Sequence, residues 1–257
     1  MTLHTILILI PTGFIGGLMA AMVGGASVIT FPVLLTIGLP PVVATASNLV
    51  AVSAGNLLAA VTDRARLPPV DRAFFGLVAA SVLGALIGAV LLLATPTRMF
   101  EVLIPLLLGF ATILFAFAGR VTQWLRARAQ ARGRSGWTMS VTSIPLLLPV
   151  SVYGGYFGAG AGTLLLGVLM LATGGDYRSA NVTKNLVSSL NTFAASVWFV
   201  VNGAVSWPQT LTMMAGCLVG GFCGAHLARR VPQQVMRVVV VVVGAALTIA
   251  FAWRYWF

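Results

Sequence analysis

Apolar runs follow one another along the chain with breaks of only a few residues. They lie at 4–23, 26–38, 41–61, 70–94 and 98–118, then at 141–158, 160–173, 177–201, 207–228 and 232–256. A bilayer-spanning helix needs roughly 17–25 residues, so most of these runs predict spanning helices. Runs 26–38 and 160–173 are too short to span comfortably, and each follows a glycine-rich break: Gly24-Gly25, and the stretch from Gly158 to Gly162. Irregular backbone is tolerated at membrane depth only where protein buries it or water lines it. These two runs therefore read as half-helices, broken or re-entrant. The first run has no basic segment before it and leads directly into further apolar sequence, so it is expected to belong to the mature protein rather than to a signal peptide.

The two sets of five segments resemble each other at an offset of 137 residues. Gly17 falls on Gly154, Gly25 on Gly162, Gly38 on Gly175, Asn48-Leu49-Val50 on Asn185-Leu186-Val187, and Gly84 on Gly221. This predicts a first transmembrane repeat over 1–119, a basic cytoplasmic linker over 120–140 and a second repeat over 141–257. The linker holds Arg120, Arg126, Arg128, Arg132 and Arg134. With it inside the cell, segment counting also places Arg64, Arg66, Arg72, Arg178 and Arg229-Arg230 inside, as the positive-inside rule asks. Five segments per half then make the repeats inverted. Counting each broken pair as one crossing gives eight spans and parallel repeats, but sends Arg229-Arg230 outside. The fold class expected is all-α: a polytopic helical membrane protein of 8–10 segments in two inverted repeats.

Composition supports lipid as the main solvent. Of 257 residues 59% are hydrophobic and 7% charged, with a mean hydropathy of +1.03. A soluble domain carries about a quarter charged residues. The net charge of +11 sits in short loops and does not point to nucleic acid. Cys217 and Cys223 share one apolar run with no metal-binding or redox spacing. No Ser/His/Asp set, paired carboxylates, P-loop or HExxH stands in the chain, so no enzyme, cofactor or metal is expected. No acidic residue lies deep in a segment: Asp63, Asp71, Glu101 and Asp176 are near segment ends. His226 sits near a segment end beside Arg229, and reads as interfacial.

Inverted halves with discontinuous helices suggest a transporter whose site lies where half-helix ends meet. Free backbone N–H groups at a helix start favour an anion, and glycine lets it approach closely. The candidates are Gly24, Gly25, Ala26 and Ser27 at the first break, and Gly160, Ala161, Gly162 and Thr163 at the second. Close helix packing by small residues accounts for such glycines equally well. Lys184, the chain's single lysine, lies within an apolar run, where an ionisable residue suggests function; snorkelling to the interface is the alternative. Asn185, Ser188, Ser189 and Asn191 lie beside it, and Thr45, Ser47, Asn48, Ser53 and Asn56 occupy the matching stretch of the first half. Asn48, Lys184, Asn185 and Ser188 complete the expected substrate contacts, with interhelical hydrogen bonding the plainer role for the two asparagines.

Residues 13–52, with a glycine break, a proline on the short helix, a Leu39-Pro40 turn and a polar-studded helix, resemble the start of the sulfite exporter TauE/SafE family. Residues 154–196 resemble that family's second copy, with Leu169 where Pro32 stands in the first, and residues 61–72 its basic loop. The resemblance covers nearly the whole chain. It implies a secondary transporter in a bacterial inner membrane, exporting sulfite or an organosulfonate such as sulfoacetate, with membrane lipid around it and a homo-oligomer open. Two other readings remain: a transporter or importer of another small anion such as a carboxylate, and a non-transporting membrane subunit that binds a partner.

Overall fold

The computed structural model describes residues 2–67, 69–131, 144–173, 176–227 and 233–256. Among them are ten α-helices and no strand. The first half holds α1 (Leu3–Val23), α2 (Ala26–Thr36), α3 (Pro41–Thr62), α4 (Arg72–Ala94) and α5 (Thr97–Ala131). The second holds α6 (Ile144–Tyr156), α7 (Ala161–Ala172), α8 (Tyr177–Val201), α9 (Trp207–Leu227) and α10 (Gln233–Trp256). Six of these are long and apolar enough to cross a membrane: α1, α3, α4, the first part of α5, α9 and α10. The chain is thus a multi-pass membrane protein. Helix α8 has the length, 25 residues, but a strongly polar face.

Glycine sets the breaks. Gly24 takes a left-handed conformation, φ +81°, and turns its N–H back onto Ala20 O and Met19 O, which ends α1. Gly158 and Gly160, both at φ +79°, turn the chain between α6 and α7. Helices α2 and α7 have 11 and 12 residues. At 1.5 Å per residue each is about 17 Å long, a little over half the hydrocarbon core. Elsewhere side chains set the ends: the Asp71 carboxylate accepts from Phe74 N at 2.7 Å to start α4, and that of Asp176 from Arg178 N at 3.0 Å to start α8.

The basic stretch expected as a loop from 120 is helical as far as Ala131, so α5 is one helix of 35 residues. Between Gly119 and Gly133 the sequence has no glycine or proline and is rich in alanine, arginine and glutamine, all good helix formers. Arg132, Arg134, Gly175, Arg229 and Arg230 lie outside the described residues.

Helices α3 and α8 form the centre and run antiparallel. Ser47 Oγ accepts from Ser206 N at one end (3.0 Å), Ser189 Oγ donates to Ser53 O midway (3.2 Å), and Arg178 pairs with Asp63 at the other end. Helices α5 and α10 are antiparallel too: Trp256 Nε1 donates to Val102 O, while Arg237 lies against Gly119. Helix α1 packs on α9 and α4 on α6, backbone to backbone. A methyl group on Gly13, Gly17 or Gly220 would overlap a carbonyl of the α1–α9 partner helix, and one on Gly88 or Gly155 a carbonyl across α4–α6. Small residues allow this approach, and in lipid such packing replaces the hydrophobic drive. Exchanging α1–α5 with α6–α10 maps these helix pairs onto one another.

Candidate functional site

The two glycine breaks touch. A Cβ on Gly24 would stand 2.8 Å from Gly162 C, and one on Gly162 would stand 2.9 Å from Gly24 Cα. This brings the starts of α2 and α7 together at the centre of the molecule. The backbone N–H groups of Gly25, Ala26, Ser27 and Gly162 have no hydrogen-bond partner among the described residues, as the first turn of a helix leaves them. The second break is braced by Tyr153, whose hydroxyl donates to Ala159 O at 2.7 Å, and by Phe157, packed edge-on to Phe31 at 5.2 Å between ring centres.

A cavity of about 40 Å³ lies at this junction. One water needs about 10–15 Å³ on the same scale, so the space suits a small polyatomic ion. Of the residues expected from sequence, Gly24, Ala26, Ser27, Ala161, Gly162 and Ser188 line it. Asn56 of α3 and Asn191 and Thr192 of α8 complete its polar wall. Asn56 is 6% exposed, and its side-chain amide has no hydrogen-bond partner among the described residues. Ser188 Oγ is buried and also without a partner among the described residues. Asn191 is held in place by donating to Ser81 O and Ser151 O. The lining positions of α3 are Leu49, Val52 and Asn56, and those of α8 are Ser188, Asn191 and Thr192. Spacings of three and four keep each set on one helix face.

The other expected residues stand behind the cavity. Gly25 backs onto the Phe115 ring and Gly160 onto Ala111. Asn48 donates to Ser27 Oγ at 2.9 Å and accepts from Thr30 Oγ1, so it orients a lining hydroxyl rather than lining the cavity itself. Lys184, fully buried, donates from Nζ to Ala20 O at 2.8 Å. Asn185 donates to Ala21 O at 3.4 Å, and Thr163 Oγ1 to Val23 O at 3.1 Å.

These last contacts form one system with two residues the sequence did not single out as site residues. Asn181 donates to Ala21 O at 3.0 Å and Tyr177 to Met22 O at 3.0 Å. All four terminal carbonyls of α1 are therefore capped by side chains of α7 and α8. A helix C-terminus carries about half a negative charge, and a lysine ammonium there is favourable. Lys184 and its neighbours offset the dipole at the end of α1, which would otherwise repel an anion.

Beyond α1 the halves are tied by ion pairs. Arg178 donates from Nε and Nη2 to the two carboxylate oxygens of Asp63, each at 2.9 Å, and Arg66 lies 3.7 Å from Asp176. The Ser179 hydroxyl, donating at 2.6 Å, leads the contacts that hold the Asp176 carboxyl below its ordinary range.

A family model described as "Sulfite exporter TauE/SafE" matches residues 9–251. A "Probable membrane transporter protein" of Haemophilus influenzae is 24% identical over 94% of this chain and 92% of its own length. "Probable membrane transporter protein ORF9" of a Sinorhizobium species is 27% identical over 96% and 92%. The Escherichia coli "Probable membrane transporter protein YfcA" is 21% identical over 94% and 87%.

Proposed function

Because the chain belongs to the sulfite exporter TauE/SafE family of membrane transporters, we propose that it is a secondary transporter exporting small sulfur oxyanions, sulfite or an organosulfonate such as sulfoacetate. The observation that carries this reading is the meeting of the two breaks around a cavity with unpartnered donors. Each helix start acts as about half a positive charge, so the pair offers about one charge to an anion without a cationic side chain in contact. Asn56 and Ser188 add hydrogen-bonding groups, and Ser27, which accepts from Asn48, keeps its own hydroxyl proton to donate. Lys184 supports the site from behind the end of α1.

The two halves, 1–119 and 141–257, are inverted repeats in this account. The antiparallel pairing of α3 with α8 and of α5 with α10 supports that relation, because each pair joins equivalent helices. The arginine-bearing ends then face the cytoplasm, and the membrane is the bacterial inner membrane. Export of an anion from a negative-inside cell is downhill by about 2.3 kcal/mol per charge per 100 mV.

The test is a flux panel in proteoliposomes holding purified protein. Sulfite and sulfoacetate should move and acetate should not. Movement of acetate alone would replace the substrate class, and no movement of any anion would favour a subunit that acts through a partner.

A further inference from the structure

A second cavity, of about 280 Å³, opens between the end of α3 and the start of α8. It lies in line with the central one. On α8 the positions 178, 181, 185, 188 and 192 follow one face, and on α3 and its cap the positions 49, 52, 56, 59 and 63 do the same. The outer members of each set line the second cavity and the inner members line the first. Asp63 and Arg178 are the outermost of their sets, so they stand at the mouth, on the arginine-bearing end of the molecule.

At this mouth the two halves are tied by crossed charges. Asp63 and Arg66 come from the first half and Asp176 and Arg178 from the second, so each half supplies one acid and one base. The chain has four acidic residues, and two of them are placed at this seam. Farther along, α3 and α8 are joined by neutral hydrogen bonds, from Ser189 to Ser53 and from Ser206 to Ser47. The charged side chains are partly in solvent: 17% exposed for Asp63, 42% for Arg178 and Arg66, and 48% for Asp176. Ion pairs that water reaches are weak one by one, whereas breaking a buried pair is costly. Two such exposed pairs hold a mouth closed and still let it open.

Arg178 also has donors to spare. Asp63 takes two of its five N–H groups, and the other three have no partner among the described residues. A guanidinium grips a carboxylate and a tetrahedral oxyanion in the same two-pronged way. An oxyanion arriving at the mouth therefore replaces the Asp63 carboxylate like for like.

We propose that the crossed ion pairs are a latch over the arginine-bearing mouth of the anion route, and that a small oxyanion binds at Arg178 and opens the latch by displacing Asp63. The anion favours the open state because only there does the whole fork of Arg178 face it, and a ligand shifts an equilibrium by its difference in affinity for the two states. The inference rests on the anion-transport reading and adds what admits the substrate to the central cavity.

The experiment is thiol labelling of the purified protein in lipid nanodiscs, with Ala59→Cys as the reporter in a Cys223→Ser background and a small neutral maleimide as reagent. Ala59 lines the second cavity and is buried. Asp63→Asn and Arg178→Gln should each speed labelling about fivefold, the measure of one good half-exposed ion pair. The two variants change the local charge in opposite senses, so a shared rise reports the broken tie rather than the thiol's own reactivity. Sulfoacetate should speed labelling of the unlatched parent's counterpart, the protein with Asp63 and Arg178 intact, by a similar factor. Chloride at the same ionic strength should do less, and Arg178→Gln should not respond to sulfoacetate. Cys217, fully buried on α9, is the internal control and should stay unlabelled throughout. A parent rate in either variant, or equal effects of sulfoacetate and chloride, overturns the proposal. Labelling of Cys217 in step with the reporter also overturns it, since the rise would then be a loosening of the whole fold. Opening by sulfoacetate with no flux of any anion in liposomes would sink the export reading and leave the latch standing. Flux of sulfite or sulfoacetate with no change in labelling would do the reverse.

Discussion

Replacing Gly162 by alanine probes the contact on which the site depends. Gly162 has no positive φ, so alanine costs nothing in backbone conformation there. The added Cβ would meet Gly24 Cα at 2.9 Å and Gly24 O at 3.2 Å, against an ordinary contact of 3.4–4 Å. Both are backbone atoms and cannot rotate away, so the breaks must part by about half an ångström or more, at a typical overpacking cost of about 1–3 kcal/mol. The Thr163–Val23 bond, 3.1 Å long, lies across the same junction and would stretch as the breaks part. Gly38→Ala is the control. It places a methyl where φ is +94° but nothing lies within 4 Å, so it carries backbone strain of about 1–2 kcal/mol and no clash. Thermal unfolding in detergent and anion flux in liposomes should separate the two. Both variants melt earlier, but only Gly162→Ala loses flux, by about tenfold or more if misplacing the helix starts costs ~1.4 kcal/mol of anion binding. Equal flux in Gly162→Ala and wild type would refute the claim that the abutting breaks form the site.

Lys184→Met keeps the volume of the side chain and removes its bond to Ala20 O; flux should fall several-fold, and Lys184→Arg should restore part of it, while unchanged flux in the methionine variant would remove Lys184 from the account. Asn56→Leu fills the polar wall of the central cavity without breaking a side-chain hydrogen bond, so it should abolish flux with little change in melting temperature; a large stability loss would mean that Asn56 has a structural partner. Asp63→Asn weakens the bidentate tie between α3 and α8, and amide hydrogen exchange at the start of α8 should quicken, which unchanged exchange would contradict.

The helices and the two breaks were legible because lipid demands long apolar runs and because Gly24 and Gly160 are the residues that tolerate a left-handed turn. The end of α5 was not, since the arginines and alanines of 120–131 suit a cytoplasmic loop as well as a helix. For Lys184 the sequence marked the position as unusual but not its partner. That partner is a backbone carbonyl 164 residues away, and only the placement of α1 against α8 supplies it. The same holds for Asn185, expected at the central site and found donating to Ala21 O at the end of α1. Thr192 sits on the face of Ser188, one helical turn away, but which face meets the cavity is set by the antiparallel packing of α3 and α8.

The most direct measurement is the rate of sulfite efflux from proteoliposomes at an imposed potential, for wild type and Asn56→Leu. Efflux should rise as the interior is made negative and be lost in the variant. Efflux indifferent to potential, or equal in both proteins, would contradict passage of an anion through the central cavity.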